Sequence, residues 1–224
     1  MIGMFVRFIL PALTEATSPL FRPIKYSLFP PLGLATLAAY LDPGDRAEIV
    51  DEHVERLRLE DRPDLVVIQV YITSARRSYE IADAYRRRGV FVALGGLHVT
   101  SLPEEAAAHA DVIFTGPGED TWPRFLRDYR AGRPARRYGS TVRTLVELPP
   151  VRRDLIRRHL YLVPNSIVVT RGCRTYATSV TRRPSSPAGA ASTPSRCTTR
   201  WRRSTAFPAG TSTSWTITCS ATAA

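Results

Sequence analysis

Five groups of residues in this 224-residue sequence have types and spacing that suit chemistry, and each stands just after a short apolar run. Asp51-Glu52-His53 follows Ala47–Val50 and pairs a carboxylate with an imidazole two residues on, a set that can hold a proton or turn the chain. Thr73-Ser74 follows Asp64–Val70; two hydroxyls there can cap a helix, and a helix N-terminus also suits a phosphate. Gly95-Gly96-Leu97-His98 follows Val90–Leu94, and Gly116-Pro117-Gly118-Glu119 follows Asp111–Thr115. Glycines at such places make tight turns or let backbone approach a ligand closely. Cys173 closes Ile167-Val168-Val169-Thr170-Arg171-Gly172, where a thiolate could ligate a metal.

The elements that must position these groups alternate regularly. Phe5–Leu10 reads as a first strand, and Pro11–Pro30 as a long loop of the kind that usually carries function. Pro30-Pro31 opens a helix whose apolar face repeats at Leu34, Leu37, Ala38 and Leu41. Strands at 47–50, 65–70, 90–94 and 111–115 follow, with helices over 75–88, after Pro103, and over 121–130. The run Asp64–Val70 is apolar without alternation, which marks a central parallel strand covered on both faces. Strands alternating with helices predict an α/β fold, a Rossmann-like doubly wound parallel sheet over residues 1–132. In such sheets ligands sit beyond the carboxyl ends of the strands, where four of the five groups stand. Residues 133–165 are rich in proline and arginine and read as a linker with a short helix near Val151–His159; 166–173 then starts a second domain.

The formal charge of +11 suggests nucleic acid, but its distribution argues against that partner. Residues 174–224 hold seven arginines and no acid, which leaves 24 basic against 20 acidic residues in 1–173. No basic stripe with interleaved aromatics is present. Three cysteines at 173, 197 and 219 form no disulfide framework and fit a reducing, cytoplasmic setting. Met4–Leu13 contains Arg7 and Pro11, is too short for a membrane span, and reads as a buried strand.

Several motifs agree in order and spacing: Pro30-Pro31-Leu32-Gly33-Leu34, Gly95-Gly96-Leu97-His98-Val99-Thr100 with Pro103-Glu104, Gly116-Pro117-Gly118-Glu119-Asp120, and Thr170-Arg171-Gly172-Cys173. Together they resemble the cobalamin-binding radical SAM enzymes over residues 4–173. The resemblance implies a cobalamin domain followed by the first strand of a radical SAM barrel. It implies cobalamin, a [4Fe-4S] cluster and S-adenosylmethionine as cofactors, and radical chemistry such as methyl transfer to an unactivated carbon of a small molecule. It places the corrinoid near Asp51, Thr73, Ser74, Gly95, Gly96, His98, Gly116, Gly118 and Glu119, with Cys173 as a cluster ligand in the intact parent. Each keeps a plainer alternative: Asp51 as a turn cap, Thr73-Ser74 as an N-cap, the glycines as turns, His98 paired with a backbone carbonyl, and Cys173 as a free thiol. Asp51-Glu52-His53 is similar to the Asp-x-His in which histidine ligates cobalt, but that motif continues to a glycine where Arg56 stands, and it follows the first strand. A surface histidine is the expectation here.

The family's cluster motif is Cys-x-x-x-Cys-x-x-Cys. Cys173 matches its first position, while Ala177 and Val180 stand at the others, so the chain as written is not expected to build the cluster. Apolar patterning also stops there, and 21 of the 51 residues in 174–224 are Ser or Thr. Lys25 is the only lysine among 31 basic residues, which points to a GC-rich genome. Back-translation one base earlier lets Tyr176-Ala177 and Ser179-Val180 become cysteines at the family's spacing. Trp215-Thr216 is forced to an aspartate after a permitted apolar strand. We read 174–224 as an out-of-frame, unstructured tail, and the chain as the cobalamin half of an enzyme that has lost its radical half. Two rival readings are a stand-alone cobalamin-binding or sensor module with a basic tail, and a flavodoxin-like domain for another nucleotide.

Overall fold

The structure is a computed structural model that describes residues 3–13, 28–142 and 148–168, together with the backbone of 216–218. The loop 14–27, Cys173 and nearly all of 174–224 lie outside the described residues. Six parallel strands make one sheet in the order β2-β1-β3-β4-β5-β6. They are β1 (Phe5–Leu10), β2 (Arg46–Asp51), β3 (Leu65–Gln69), β4 (Phe91–Gly95), β5 (Val112–Thr115) and β6 (Arg137–Gly139). The strand order reverses between β1 and β3, so the crevice where such sheets take ligands opens above their carboxyl ends.

Side chains alternate across each strand and divide the core in two. Val6, Phe8, Leu65, Val67, Ala93, Val112 and Phe114 face one side, where α1 (Leu32–Ala38) and α5 (Gly118–Arg130) lie. Ile9, Val66, Ile68, Val92, Leu94 and Ile113 face the other, under α2 (Ala75–Arg87), α3 (Leu97–Ser101) and α4 (Pro103–Ala107). Both faces being covered explains the unbroken apolar run of β3. Burying one large aliphatic or aromatic side chain stabilises by about 1.5–3 kcal/mol, so this double core dominates the fold.

A charge on β1 enters the core. Arg7 on β1 is 8 % exposed and donates to the Glu48 carboxylate at 2.6 Å and to the Arg58 carbonyl at 3.0 Å. It also reaches Asp61 and the Tyr85 hydroxyl, the latter at 3.1 Å. Residues 52–64, between β2 and β3, form no described helix, and the guanidinium with its five donors ties them to β1 and α2.

Three sequence expectations change. Residues 133–165, read as a linker, instead continue the fold. Tyr138 of β6 is 3 % exposed and stacks on Phe114 with centroids 5.6 Å apart, and its hydroxyl donates to Asp128 at 2.7 Å. A three-residue strand with one inward side chain is too short for its alternation to stand out in the sequence. The helix expected near Val151–His159 is two 3-10 turns, Arg153–Leu155 and Arg158–Leu160, which bring Ile156 and Tyr161 into the core. The third change concerns the start of α2: neither Thr73 nor Ser74 caps it through a side chain, and a 3-10 turn at Ile72–Ser74 leads in instead.

Beyond this sheet, β7 (Ser166–Val168) pairs in parallel with β8 (Thr216–Thr218). The expected absence of structure in 174–224 lies outside the described residues, β8 excepted. Among the described residues no helix is long and apolar enough to cross a membrane.

Candidate functional site

The carboxyl ends of β3, β4 and β5 bring together Thr73, Ser74, Gly95, Gly96, Gly116 and Gly118, because Gln69 sits in register with Gly95 and Gly95 with Phe114. Thr73 is exposed and Ser74 is 2 % exposed. Asp51 ends β2, three strands from β4, at about 4.8 Å per strand spacing or about 14 Å away.

The glycines answer to protein packing. Gly96 has φ +122°, and a Cβ there would meet the Val70 carbonyl oxygen at 2.6 Å. Gly116 has φ +84°, and its Cβ would fall 1.8 Å from the Ser140 carbonyl oxygen. Each turn is pressed onto the exit of a neighbouring strand, where no side chain fits. A Cβ on Gly118 would make only ordinary contact with Leu37 at 3.6 Å. Glu119 stands in the first turn of α5, where its charge suits the helix dipole.

Asp51 is 1 % exposed and fully engaged. Its Oδ1 accepts from the His53 amide at 2.9 Å and lies 2.8 Å from His53 Nδ1, while its Oδ2 accepts from the Tyr161 hydroxyl at 3.0 Å. Its carbonyl closes the turn by accepting from the amides of Val54 and Glu55. Burial first, then the Asp51 charge, pushes the Tyr161 hydroxyl well above the usual tyrosine range, so it stays a donor. Next to it Glu52, its side chain 8 % exposed, accepts from Arg77 at 2.7 Å and from the Ala12 amide at 3.2 Å. That carboxylate joins the ends of β1 and β2 to α2.

His98 is 7 % exposed and its ring turns away from the strand ends into the layer of α2 and α4. Its Nε2 lies 3.3 Å from Glu105 Oε1, so its partner is a carboxylate rather than a backbone carbonyl. Hydrogen bonding to His98, then to Tyr79, holds the Glu105 carboxyl below the ordinary glutamate value. Among the described residues no group of three or more His, Cys, Asp or Glu could hold a metal ion.

Sequence reasoning passed over the apolar residues of this edge. Tyr71, Ile72 and Leu97 follow β3 and β4 and are 43 %, 77 % and 41 % exposed. Tyr71 is steadied by Gln69, whose Nε2 donates to its hydroxyl at 2.7 Å. The sequence already stands all three after the apolar runs that end at Val70 and Leu94; their exposure is what the structure adds. These exposed apolar side chains stand beside the glycine turns at the strand ends.

Residues 26–126 match the B12 binding domain family. The chain carries a B12-binding domain. The matched stretch runs from α1 into α5, and the sheet around the B12-binding domain adds β1 before it and β6 after it. Among similar proteins, a bacteriochlorophyllide d C-8(2)-methyltransferase of Chlorobaculum tepidum is 39 % identical over 122 residues, 54 % of this chain and 26 % of the relative. An uncharacterized methyltransferase of Synechocystis is 31 % identical over 150 residues, 65 % of this chain and 28 % of the relative. A bacteriochlorophyllide d C-12(1)-methyltransferase of Chlorobaculum tepidum is 26 % identical over 117 residues, 49 % of this chain and 25 % of the relative. The chain thus spans about a quarter of the length of these curated relatives.

Proposed function

We propose that this chain is the cobalamin-binding part of a cobalamin-dependent radical SAM methyltransferase, and that as it stands it holds the corrinoid without performing the radical step. The observation that carries the reading is the strand-end floor of Tyr71, Ile72 and Leu97 beside the Gly96 and Gly116 turns, within a B12-binding domain. Two relatives named as methyltransferases of bacteriochlorophyllide support the reaction class. The substrate is a small molecule whose identity belongs to the remainder of such an enzyme.

Cobalamin, when bound, supplies a cobalt centre that can carry a methyl group. The chain's own residues bind and orient it. Tyr71, held by Gln69, and Ile72 and Leu97 offer apolar surface to the corrin and displace water from its protein-side face. Glu52 with Arg77 and Ala12 sets the distance between the β1 and β2 exits and α2. Neither histidine is proposed as a cobalt ligand: Arg56 stands where the Asp-x-His motif has its glycine, and the buried His98 ring turns to Glu105.

Visible titration of the purified chain with hydroxocobalamin tests the proposal. Saturable binding is expected, lost in Ile72→Asp through the charge placed on the floor, and spectrally unchanged in His53→Ala. A chain that binds no corrinoid sinks the reading. A His53→Ala spectrum showing loss of a nitrogen ligand overturns the axial assignment.

A further inference from the structure

The side chain of Thr100 links the two glycine turns. It lies in α3, between the turn after β4 and the turn after β5. Its hydroxyl donates to the Gly96 carbonyl at 2.8 Å and accepts from the Gly116 amide at 2.9 Å. The Gly96 carbonyl also accepts the Thr100 amide at 3.0 Å, so the hydroxyl adds a second bond on that side, while on the other it takes the Gly116 N–H, which α5 does not pair.

The neighbouring contacts make this a continuous rail. The Val70 amide donates to the Gly95 carbonyl at 2.7 Å, and the His98 amide to the Val70 carbonyl at 3.3 Å, which locks the β3 exit to the first turn. At the other end the Ser140 amide donates to the Thr115 carbonyl at 2.9 Å, and Gly116 rests on the Ser140 carbonyl with no room for a Cβ. Backbone joins β3 to β4 and β5 to β6. Between β4 and β5 the paired strands end at Gly95 and Phe114, and beyond that point the Thr100 hydroxyl continues the join.

We infer that Thr100 is a positioning residue for the corrinoid. It holds the Gly96 and Gly116 turns at one separation, so that the floor is flat across four strands before the ligand arrives. The inference rests on the cobalamin reading above. A rigid macrocycle that spans more than one strand spacing, about 4.8 Å each, binds best to a surface that does not first have to be ordered. Thr100 itself need not touch it. The hydroxyl is what matters, because its bonds go to backbone on both sides. Valine keeps the shape of threonine and loses both bonds, while serine keeps both.

The test uses the full 224-residue chain with hydroxocobalamin as the probe. Thr100→Val is expected to weaken corrinoid binding about three- to tenfold, the worth of one or two ordinary hydrogen bonds. Thr100→Ser is expected to restore it, with unchanged far-UV circular dichroism in both. Amide exchange without ligand supplies an independent reading: the Gly116 amide is slowed in the wild type and in Thr100→Ser, and exchanges faster in Thr100→Val. Equal affinity of the wild type and Thr100→Val overturns the inference, as does a serine variant that rescues nothing. If Thr100→Val fails to fold, an unprotected Gly116 amide in the wild type overturns it, and a protected one together with full binding by Thr100→Ser upholds it. A wild type that binds no corrinoid defeats the cobalamin reading and the inference with it, whereas corrinoid binding that Thr100→Val leaves unchanged defeats the inference alone, so the two failures are distinguishable.

Discussion

At the scale of the residue, glycine does two different jobs along the same edge. Gly116 combines φ +84° with a Cβ position 1.8 Å from backbone, whereas Gly118 opens α5 with no such strain. Gly116→Ala is therefore expected to destabilise by about 2–3 kcal/mol, while Gly118→Ala is neutral or stabilising by up to about 1 kcal/mol. Urea denaturation of both variants checks the pair, and equal effects would contradict the packing described. Glu105 is the second case. Its carboxyl is held below the ordinary value by His98 and Tyr79, so its contribution to stability is complete above the unfolded pKa and disappears as pH falls through the folded one. The stability gap between wild type and Glu105→Gln should accordingly shrink between roughly pH 5 and pH 3, as followed by chemical denaturation at each pH. A gap that widens on acidification would reverse the assignment.

At the scale of the element, the segment 148–168 belongs to the folded unit. Ile156 and Tyr161 bury against the same core as α1 and α5, and the Tyr161 hydroxyl closes on Asp51 across 110 residues of sequence. Arg157 pairs with Glu55 at 2.7 Å, where burial raises the Glu55 carboxyl above its ordinary value despite the arginine. Arg152 donates its amide to the Ala35 carbonyl at 3.2 Å, fastening the segment to α1. Removing two such side chains from the core forfeits about 1.5–3 kcal/mol each. A chain ending at 142 should melt well below one ending at 168 and should bind a hydrophobic dye that the longer chain excludes. Identical melting of the two would mean that the segment contributes nothing to the core.

At the scale of the whole molecule, the question is what the B12-binding domain serves. A cluster able to bind S-adenosylmethionine needs three thiolates close together, and the loop at Cys173 offers one in the frame as written. We expect no stoichiometric iron–sulfur cluster and no cleavage of S-adenosylmethionine by the 224-residue polypeptide after anaerobic reconstitution with iron and sulfide. Shifting the frame after Cys173 and continuing to the next stop should confer both. A cluster in the unshifted chain, or none in the shifted one, would remove the radical SAM assignment and leave the B12-binding domain standing. Corrinoid binding with no cysteine-rich frame downstream would favour a stand-alone module instead.

The sequence alone determined five of the six strands of the sheet. Apolar runs alternating with amphipathic stretches are local signals, and β1 through β5 were legible because each strand buries half or more of its residues. The positions after the strands were legible for the same reason, since the end of an apolar run marks the ligand edge of a parallel sheet. Composition and patterning change together after Cys173, at a place that lies outside the described residues. Tertiary structure alone decided the rest, because those properties depend on contacts between residues far apart in the chain. Tyr138 is a core residue because Phe114 lies beneath it, and the second oxygen of Asp51 is taken because Tyr161 returns to it. The ring of His98 leaves the edge because Glu105 on the next helix takes its nitrogen. Gly96 and Gly116 are glycine because Val70 and Ser140 come too close for a side chain, a reason that no pattern around either residue contains.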